Sequence, residues 1–107
     1  MNQGAVIIHK PIRYTQETLV MRPSGRVIAP IMRRHGLGAW QLEPGRYIIV
    51  TVRRRRGLRA LEVTAQCLEV AGQGARRILG EFTYFTPSFR KDIVVEWAWR
   101  NCNHNHD

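Results

Sequence analysis

The strongest fold signal in the chain lies in residues 47–67, YIIVTVRRRRGLRALEVTAQC. Its first six residues are mostly β-branched and apolar on both faces, which is typical of a strand buried in the centre of a sheet. Residues 61–67 alternate strictly between apolar and polar side chains, which predicts a second strand with one buried face. Because an arginine run separates the two strands, the stretch predicts a β-hairpin with an arginine-rich tip.

Working outward toward the N-terminus, apolar runs at residues 5–8 and 18–21 predict two strands that meet at a tight turn. Residues 26–31 resume this character, and because Pro30 removes a ladder donor, the strand is expected to lie at an edge or to end there. Residues 31–40 contain two glycines and are interpreted as a turn or a single helical turn.

Toward the C-terminus, the alternation changes phase at residues 68–70, which indicates a bulge. A second hairpin is expected to lead into a strand at 78–85, and a further strand is expected at 93–99. On that last strand one face would carry Ile93, Val95, Trp97 and Trp99. The main competing interpretation is a central helix over residues 58–70.

The chain of 107 residues is the usual size of one domain. We therefore predict a mainly β, single-domain barrel or sandwich of five to seven short strands with at most one short helix. The domain is expected to cover residues 1–100, with a polar tail at 101–107. No run is long and apolar enough for a membrane span, and the N-terminus does not resemble a signal peptide, so we expect no membrane partner.

The net charge is the most informative number in the composition. Seventeen basic side chains face eight acidic ones, and the resulting charge of +9 comes almost entirely from arginine. Guanidinium groups pair with phosphate in bidentate fashion and stack on bases, so this excess favours a nucleic-acid partner. The alternative explanation of the arginine bias is a GC-rich genome, which favours arginine codons.

The main candidate binding residues are the crowded arginines of the predicted hairpin, because adjacent cations repel one another unless a partner neutralises them. They are Arg53, Arg54, Arg55, Arg56 and Arg59. Two smaller clusters lie next to other predicted turns, namely Arg33 with Arg34 and Arg76 with Arg77. The sequence leaves open whether these clusters share one end of the molecule.

Aromatic rings of the C-terminal third are candidates for stacking on unpaired bases. They are Tyr84, Phe85, Trp97 and Trp99. The alternative is that these rings belong to the core, as most aromatic side chains of a small domain do.

Cysteine and histidine side chains alternate near the C-terminus, at Cys102, His104 and His106. Such a pattern suits a metal ion in principle, but a structural zinc site draws its ligands from two separated segments, so we expect a polar tail and no metal or other cofactor. The second cysteine, Cys67, leaves open one disulfide with Cys102, although a reducing compartment is the default for so few cysteines.

One part of the chain resembles a known family. Residues 19–34, LVMRPSGRVIAPIMRR, followed by Leu37-Gly38 and by the run from Pro44 to Val50, resemble the AbrB/MazE-type swapped-hairpin DNA-binding domains. The resemblance covers about a third of the chain and departs from the family pattern where Arg46 replaces an acidic residue. It implies an intertwined homodimeric barrel that acts as a transcription regulator or an antitoxin. Its candidate DNA contacts are Arg26, Arg33 and Arg34.

Taken together, these features predict a non-enzymatic, cytoplasmic protein that binds DNA or RNA, mainly through phosphate contacts. A subunit of a larger ribonucleoprotein, polymerase or virion assembly is the first alternative. A small metal-dependent nuclease is the second, although the carboxylates are scattered and no catalytic motif is present.

Overall fold

The computed structural model describes residues 4–12, 16–54, 57 and 59–102. Within these residues the chain forms seven strands, one α-helix and a 3₁₀ turn at Gly72–Gly74, which confirms the predicted mainly β fold. In chain order the main elements are β1 (Val6–Pro11), β2 (Gln16–Met21), β3 (Met32–Arg34), β4 (Leu37–Leu42), β5 (Gly45–Arg54), β6 (Leu61–Val70), β7 (Arg76–Thr86) and α1 (Lys91–Asn101).

A four-stranded antiparallel sheet with the order β2-β5-β6-β7 forms the middle of the molecule. Strand β5 lies between β2 and β6, as its doubly apolar sequence predicts, and β5 pairs with β6 from Gly45 opposite Val70 to Arg54 opposite Leu61. The predicted hairpin is therefore confirmed, and the competing helix at 58–70 is wrong. Arg55 and Arg56 lie outside the described residues.

Helix α1 covers one face of this sheet, so the strand predicted for residues 93–99 is wrong. The buried positions follow a helical spacing, with Val94, Ala98 and Cys102 packed against the apolar face of β5 and β6. Three β-branched or apolar residues in a row favour a strand locally, but packing on the sheet overrides this preference. Cys102, assigned to the tail from sequence, is part of this core. No helix in the described part of the chain is long and apolar enough to cross a bilayer.

A three-stranded antiparallel sheet with the order β1-β4-β3 covers part of the opposite face. It buries Trp40 and Leu42 against side chains of β2, β5 and β6, and the indole nitrogen of Trp40 donates a hydrogen bond to the Ile28 carbonyl. The molecule is thus layered as helix, four-stranded sheet and three-stranded sheet. In the described ranges the two sheets share no strand, so the domain is not a closed barrel.

The N-terminal half departs from the sequence prediction in its pairing. The apolar runs in β1 and β2 do form strands, but β1 pairs with β4 and β2 with β5, so they do not meet at a turn. Residues 31–40 form the β3–β4 hairpin, with positive φ at His35 and Gly36 as a two-residue turn requires, rather than a helical turn. Of residues 26–31, Val27 makes only an isolated bridge to Met21.

The bulge predicted at residues 68–70 is present between β6 and β7, but it does not interrupt the alternation of side chains along β6. The pairing of β5 with β6 is continuous there, whereas the pairing of β6 with β7 shifts between Cys67 and Leu68 and leaves Leu79 as the extra residue on β7. Leu68 is buried among residues of the three-stranded sheet, while Cys67 is buried under α1. The apolar pattern changes phase because a different layer covers β6 at each point.

Candidate nucleic-acid interface

Three candidate arginines lie where β5 ends and β6 begins. Arg53 and Arg54 close β5, Arg59 precedes β6, and all three side chains are exposed. Arg53 donates a long hydrogen bond of 3.5 Å to the side-chain oxygen of Gln16 on the neighbouring strand. Across the described ranges, none of these three arginines forms an ion pair with a carboxylate.

The β3–β4 hairpin brings two more arginines to the same end of the molecule. Arg33 and Arg34 are exposed, and Arg33 lines a cleft of about 440 Å³ together with Glu17 and Val52. Val52 directly precedes Arg53, and Glu17 follows the residue that Arg53 contacts. We call the five exposed arginines of this end the arginine rim: Arg33, Arg34, Arg53, Arg54 and Arg59.

The other candidate arginines lie at the opposite end of the sheet. Arg76 and Arg77 begin β7, opposite Val70 and Glu69 of β6. Along the sheet these positions are eight or more residue pairs away from Arg54. Arg26 follows the turn after β2. Eight residues of strand span about 27 Å. The clusters that the sequence predicts therefore divide between two ends.

Arg77 is also engaged within the protein. Its guanidinium lies 2.8 Å from one oxygen of Glu69, and Arg46 approaches the other oxygen at 3.3 Å. The hydrogen bond from Arg77, together with the positive charges of both arginines, lowers the pKa of Glu69 against the opposing effect of burial. This end of the sheet neutralises part of its own charge.

On the side of the four-stranded sheet away from α1, the part next to the arginine rim is polar and is not covered by the three-stranded sheet. Alternation along the strands places one threonine from each of β5, β6 and β7 in a row across it, and the hydroxyls of Thr64 and Thr83 lie 3.0 Å apart. In the next row the side-chain amide nitrogen of Gln66 donates a hydrogen bond of 2.6 Å to a carboxylate oxygen of Glu81. We call this surface the open face, formed by Gln16, Thr51, Arg53, Glu62, Thr64, Gln66, Glu81, Thr83 and Phe85.

Part of the open face is a shallow depression of about 250 Å³ that Lys10 of β1 borders. The sequence shows the polar side of β6 as the alternate positions between its buried residues, but it gives no sign that this side stays uncovered. It gives no sign of Lys10 either, because that residue belongs to a strand of the other sheet.

Two of the four candidate stacking rings are partly buried against the core. Tyr84 and Trp97 pack against the residues buried under α1, where Phe82 lies 5.3 Å from Tyr84 and 4.4 Å from Trp97 between ring centroids. Burial raises the pKa of Tyr84. The part of each ring that packs on the core is closed to a base, and their role in stacking stays a prediction.

The other two candidate rings are exposed. Phe85 is 59% exposed and projects from β7 on the open face, opposite Glu62 of β6. Trp99 is 53% exposed on α1, on the other side of the molecule. Only Phe85 combines an exposed ring with a position on the open face.

The metal ligands considered from the sequence do not come together in the described residues. Cys102 forms a disulfide with Cys67, which leaves it no free thiol, and His104 and His106 lie outside the described ranges. Within those ranges no group of three histidine, cysteine, aspartate or glutamate side chains is arranged to hold a metal ion.

Comparison with known proteins finds likeness in structure only. No family model and no curated protein matches the chain. The fold is shared with a viral protein. ORF157 of Acidianus filamentous virus 1 superimposes with a TM-score of 0.60 and 13% identity, over 76% of this chain and 60% of the viral one.

An engineered protein solved by a structural genomics consortium superimposes with a TM-score of 0.54 and 17% identity, over 79% of this chain and 60% of the other. The chain thus spans about three-fifths of each structure it matches. At these identities the likeness shows the fold alone. The resemblance of residues 19–52 to swapped-hairpin DNA-binding domains stays a prediction.

Proposed function

We propose that this chain is a small nucleic-acid-binding protein that holds the phosphate backbone with its arginine rim. The observation that carries the proposal is the convergence of two hairpins from different sheets, which presents five exposed arginines without a carboxylate partner among the described residues. Phosphate contacts fix the position of a protein on nucleic acid, and guanidinium forks suit them geometrically.

The arrangement of charge supports binding over simple solubility. On other parts of the surface arginines pair with acidic neighbours, as Arg90 does with Asp92 and Arg100 with Glu96, both at 2.7 Å. The rim lacks such pairing in the described structure, so mutual repulsion between its cations is relieved by solvent and by any polyanion that binds. Net charge alone would not require these groups to converge.

A titration across a salt series tests the proposal. Fluorescence anisotropy with labelled DNA and RNA oligonucleotides measures the association constant at each salt concentration. We expect the logarithm of this constant to fall linearly with the logarithm of salt concentration, with a slope of about −0.9 per phosphate contact on duplex DNA. Absent binding, or binding that does not depend on salt, would remove the proposal.

A matched pair of variants locates the interface. R53Q/R54Q removes two rim charges, and R26Q/R76Q removes two exposed charges from the opposite end, so both variants carry the same net charge. We expect R53Q/R54Q to weaken binding and to reduce the slope by about 1.8, that is two contacts, while R26Q/R76Q changes both little. Equal losses in the two variants would show that net charge, and not the rim, drives binding.

A second candidate function is that of a subunit in a larger assembly, for which the exposed ring of Trp99 on α1 is the supporting observation. Exposed tryptophan is a typical anchor of protein interfaces. Light scattering after size-exclusion chromatography, with and without bound oligonucleotide, would distinguish a monomer from a homodimer or a larger complex. For the nucleic-acid-binding function we propose a cytoplasmic location, at the nucleoid or in a ribonucleoprotein.

A further inference from the structure

Phe85 lies at the end of a row of side chains that crosses the open face from the arginine rim. The pairing of the strands sets Gln16 beside Arg53, Arg53 beside Glu62, and Glu62 beside Phe85. Three spacings between neighbouring strands separate the two ends of the row by about 14 Å. The cationic side of the face and its aromatic side are thus close enough for one short stretch of nucleic acid to reach both.

The two sides of the open face differ in the groups they offer. On one side, Lys10 of β1 and Arg53 of β5 supply positive charge. On the side of β6 and β7, the carboxylate of Glu81 accepts a hydrogen bond from the Gln66 amide and lies in the row next to the threonine hydroxyls. Carboxylates repel phosphate but accept hydrogen bonds from the amino and imino groups of bases.

This distribution distinguishes between forms of nucleic acid. A duplex presents phosphates outward and keeps the faces of its bases stacked, so it offers nothing to the Phe85 ring and places negative charge against Glu81. An unpaired strand can keep its phosphates near Arg53 and turn its bases toward β7. Proteins that bind single strands on a four-stranded sheet use aromatic side chains of the sheet surface in this way.

We propose that the open face binds single-stranded nucleic acid with one unpaired base stacked on Phe85. The inference rests on the proposed function, because the arginine rim supplies the phosphate contacts. The polar rows next to Phe85 contact the edges of that base and its neighbour. Phe85 is therefore a binding residue for the base, and the rim arginines are binding residues for the backbone.

The test compares F85L with I78A. Leucine keeps an apolar side chain at a surface position but removes the aromatic face, and Ile78 is a half-exposed side chain of the same strand near its other end. The probes are a labelled single-stranded DNA, the RNA of the same sequence, and the matched DNA duplex. We expect F85L to weaken binding of at least one single strand about 5- to 150-fold and to leave duplex binding unchanged, with I78A close to the unmodified protein.

Single strands that carry 2-aminopurine give a direct signal of stacking. Quenching of that fluorophore on binding, lost in F85L and retained in F85W, is the expected result. If the protein binds duplex and single strand alike and F85L changes neither affinity nor quenching, the inference is overturned while the proposed function stands. If no oligonucleotide binds at all, the proposed function fails and the inference falls with it.

Discussion

Cys67 of β6 and Cys102, the residue that follows α1, are joined by a disulfide between the four-stranded sheet and the helix. Both residues are buried in the core beneath α1. Arg46 adds a second connection at the same place, because its guanidinium donates to the carbonyl oxygen of Cys102 and pairs with Glu69. The C-terminal end of α1 is thus fixed to the sheet through both the side chain and the backbone of Cys102.

Loss of this disulfide is expected to lower the free energy of unfolding by about 3–4 kcal/mol, because the bridge closes a loop of 35 residues in the unfolded chain. Urea unfolding with and without reductant measures the difference, and thiol titration in denaturant confirms the redox state. The double variant C67A/C102A serves as the control that reductant should not affect. Two free thiols in unreduced, freshly isolated protein would contradict the bridge and would suit a reducing compartment.

Truncation of the buried stripe of α1 should distinguish the helix from the strand that the sequence suggests. V94A removes the two methyl groups of a fully buried side chain and is expected to lower the free energy of unfolding by about 2 kcal/mol. I93A should cost less than half as much, because Ile93 is 39% exposed and alanine is the better helix former. Chemical denaturation of both variants checks that V94A is the more destabilising change. A strand at this position would bury Ile93 instead and would make I93A the more destabilising one.

Gly38 of β4 lies against the indole ring of Trp40, so G38A is expected to destabilise the three-stranded sheet. A Cβ atom there would lie 2.7 Å from one ring carbon of Trp40 and 2.9 Å from another. Displacing a buried ring costs about 1–3 kcal/mol. The control is G72A, where an added Cβ meets open space, and its unfolding free energy should stay close to that of the unmodified protein. Equal stability of G38A and G72A would show that Trp40 has room to move.

Glu69 should make the stability of the protein sensitive to acid. Because Arg77 and Arg46 lower its pKa in the folded state, its contribution is fully present above about pH 4.5, its ordinary value, and is lost as the pH falls through the lowered native pKa. Urea unfolding at pH 6 is expected to show E69Q as the less stable protein, and at pH 3 or below the difference should narrow. The variant E17Q, which removes an exposed carboxylate outside this cluster, is the control. A difference that is the same at both pH values would rule out the pKa shift.

The hairpin of β5 and β6 was predictable because its signals are local. β-branched residues and a strict alternation favour strands whatever their neighbours do, and the arginine run between them marks the connection. Helix α1 was not predictable in the same way. Its β-branched residues favour a strand locally, and its narrow buried stripe of Val94, Ala98 and Cys102 becomes decisive only when a sheet is present to pack against.

The aromatic candidates on β7 also show the difference between what local sequence predicts and what packing decides. The neighbours Tyr84 and Phe85 differ little as residues, yet α1 covers the side of β7 that carries Tyr84 and leaves the side that carries Phe85 uncovered. Alternation predicts that the two rings point to opposite sides. It does not predict which side another layer will cover.

The excess of arginine, the mainly β character and the central hairpin all follow from composition and short-range alternation, which need no partner elsewhere in the chain. The fold as a whole is needed to place Arg33 and Arg53, which lie in different sheets, at one end and Arg76 at the other. The physical reason is that strand pairing and the stacking of layers join residues distant in the chain, and their geometry depends on how all the apolar faces are buried together.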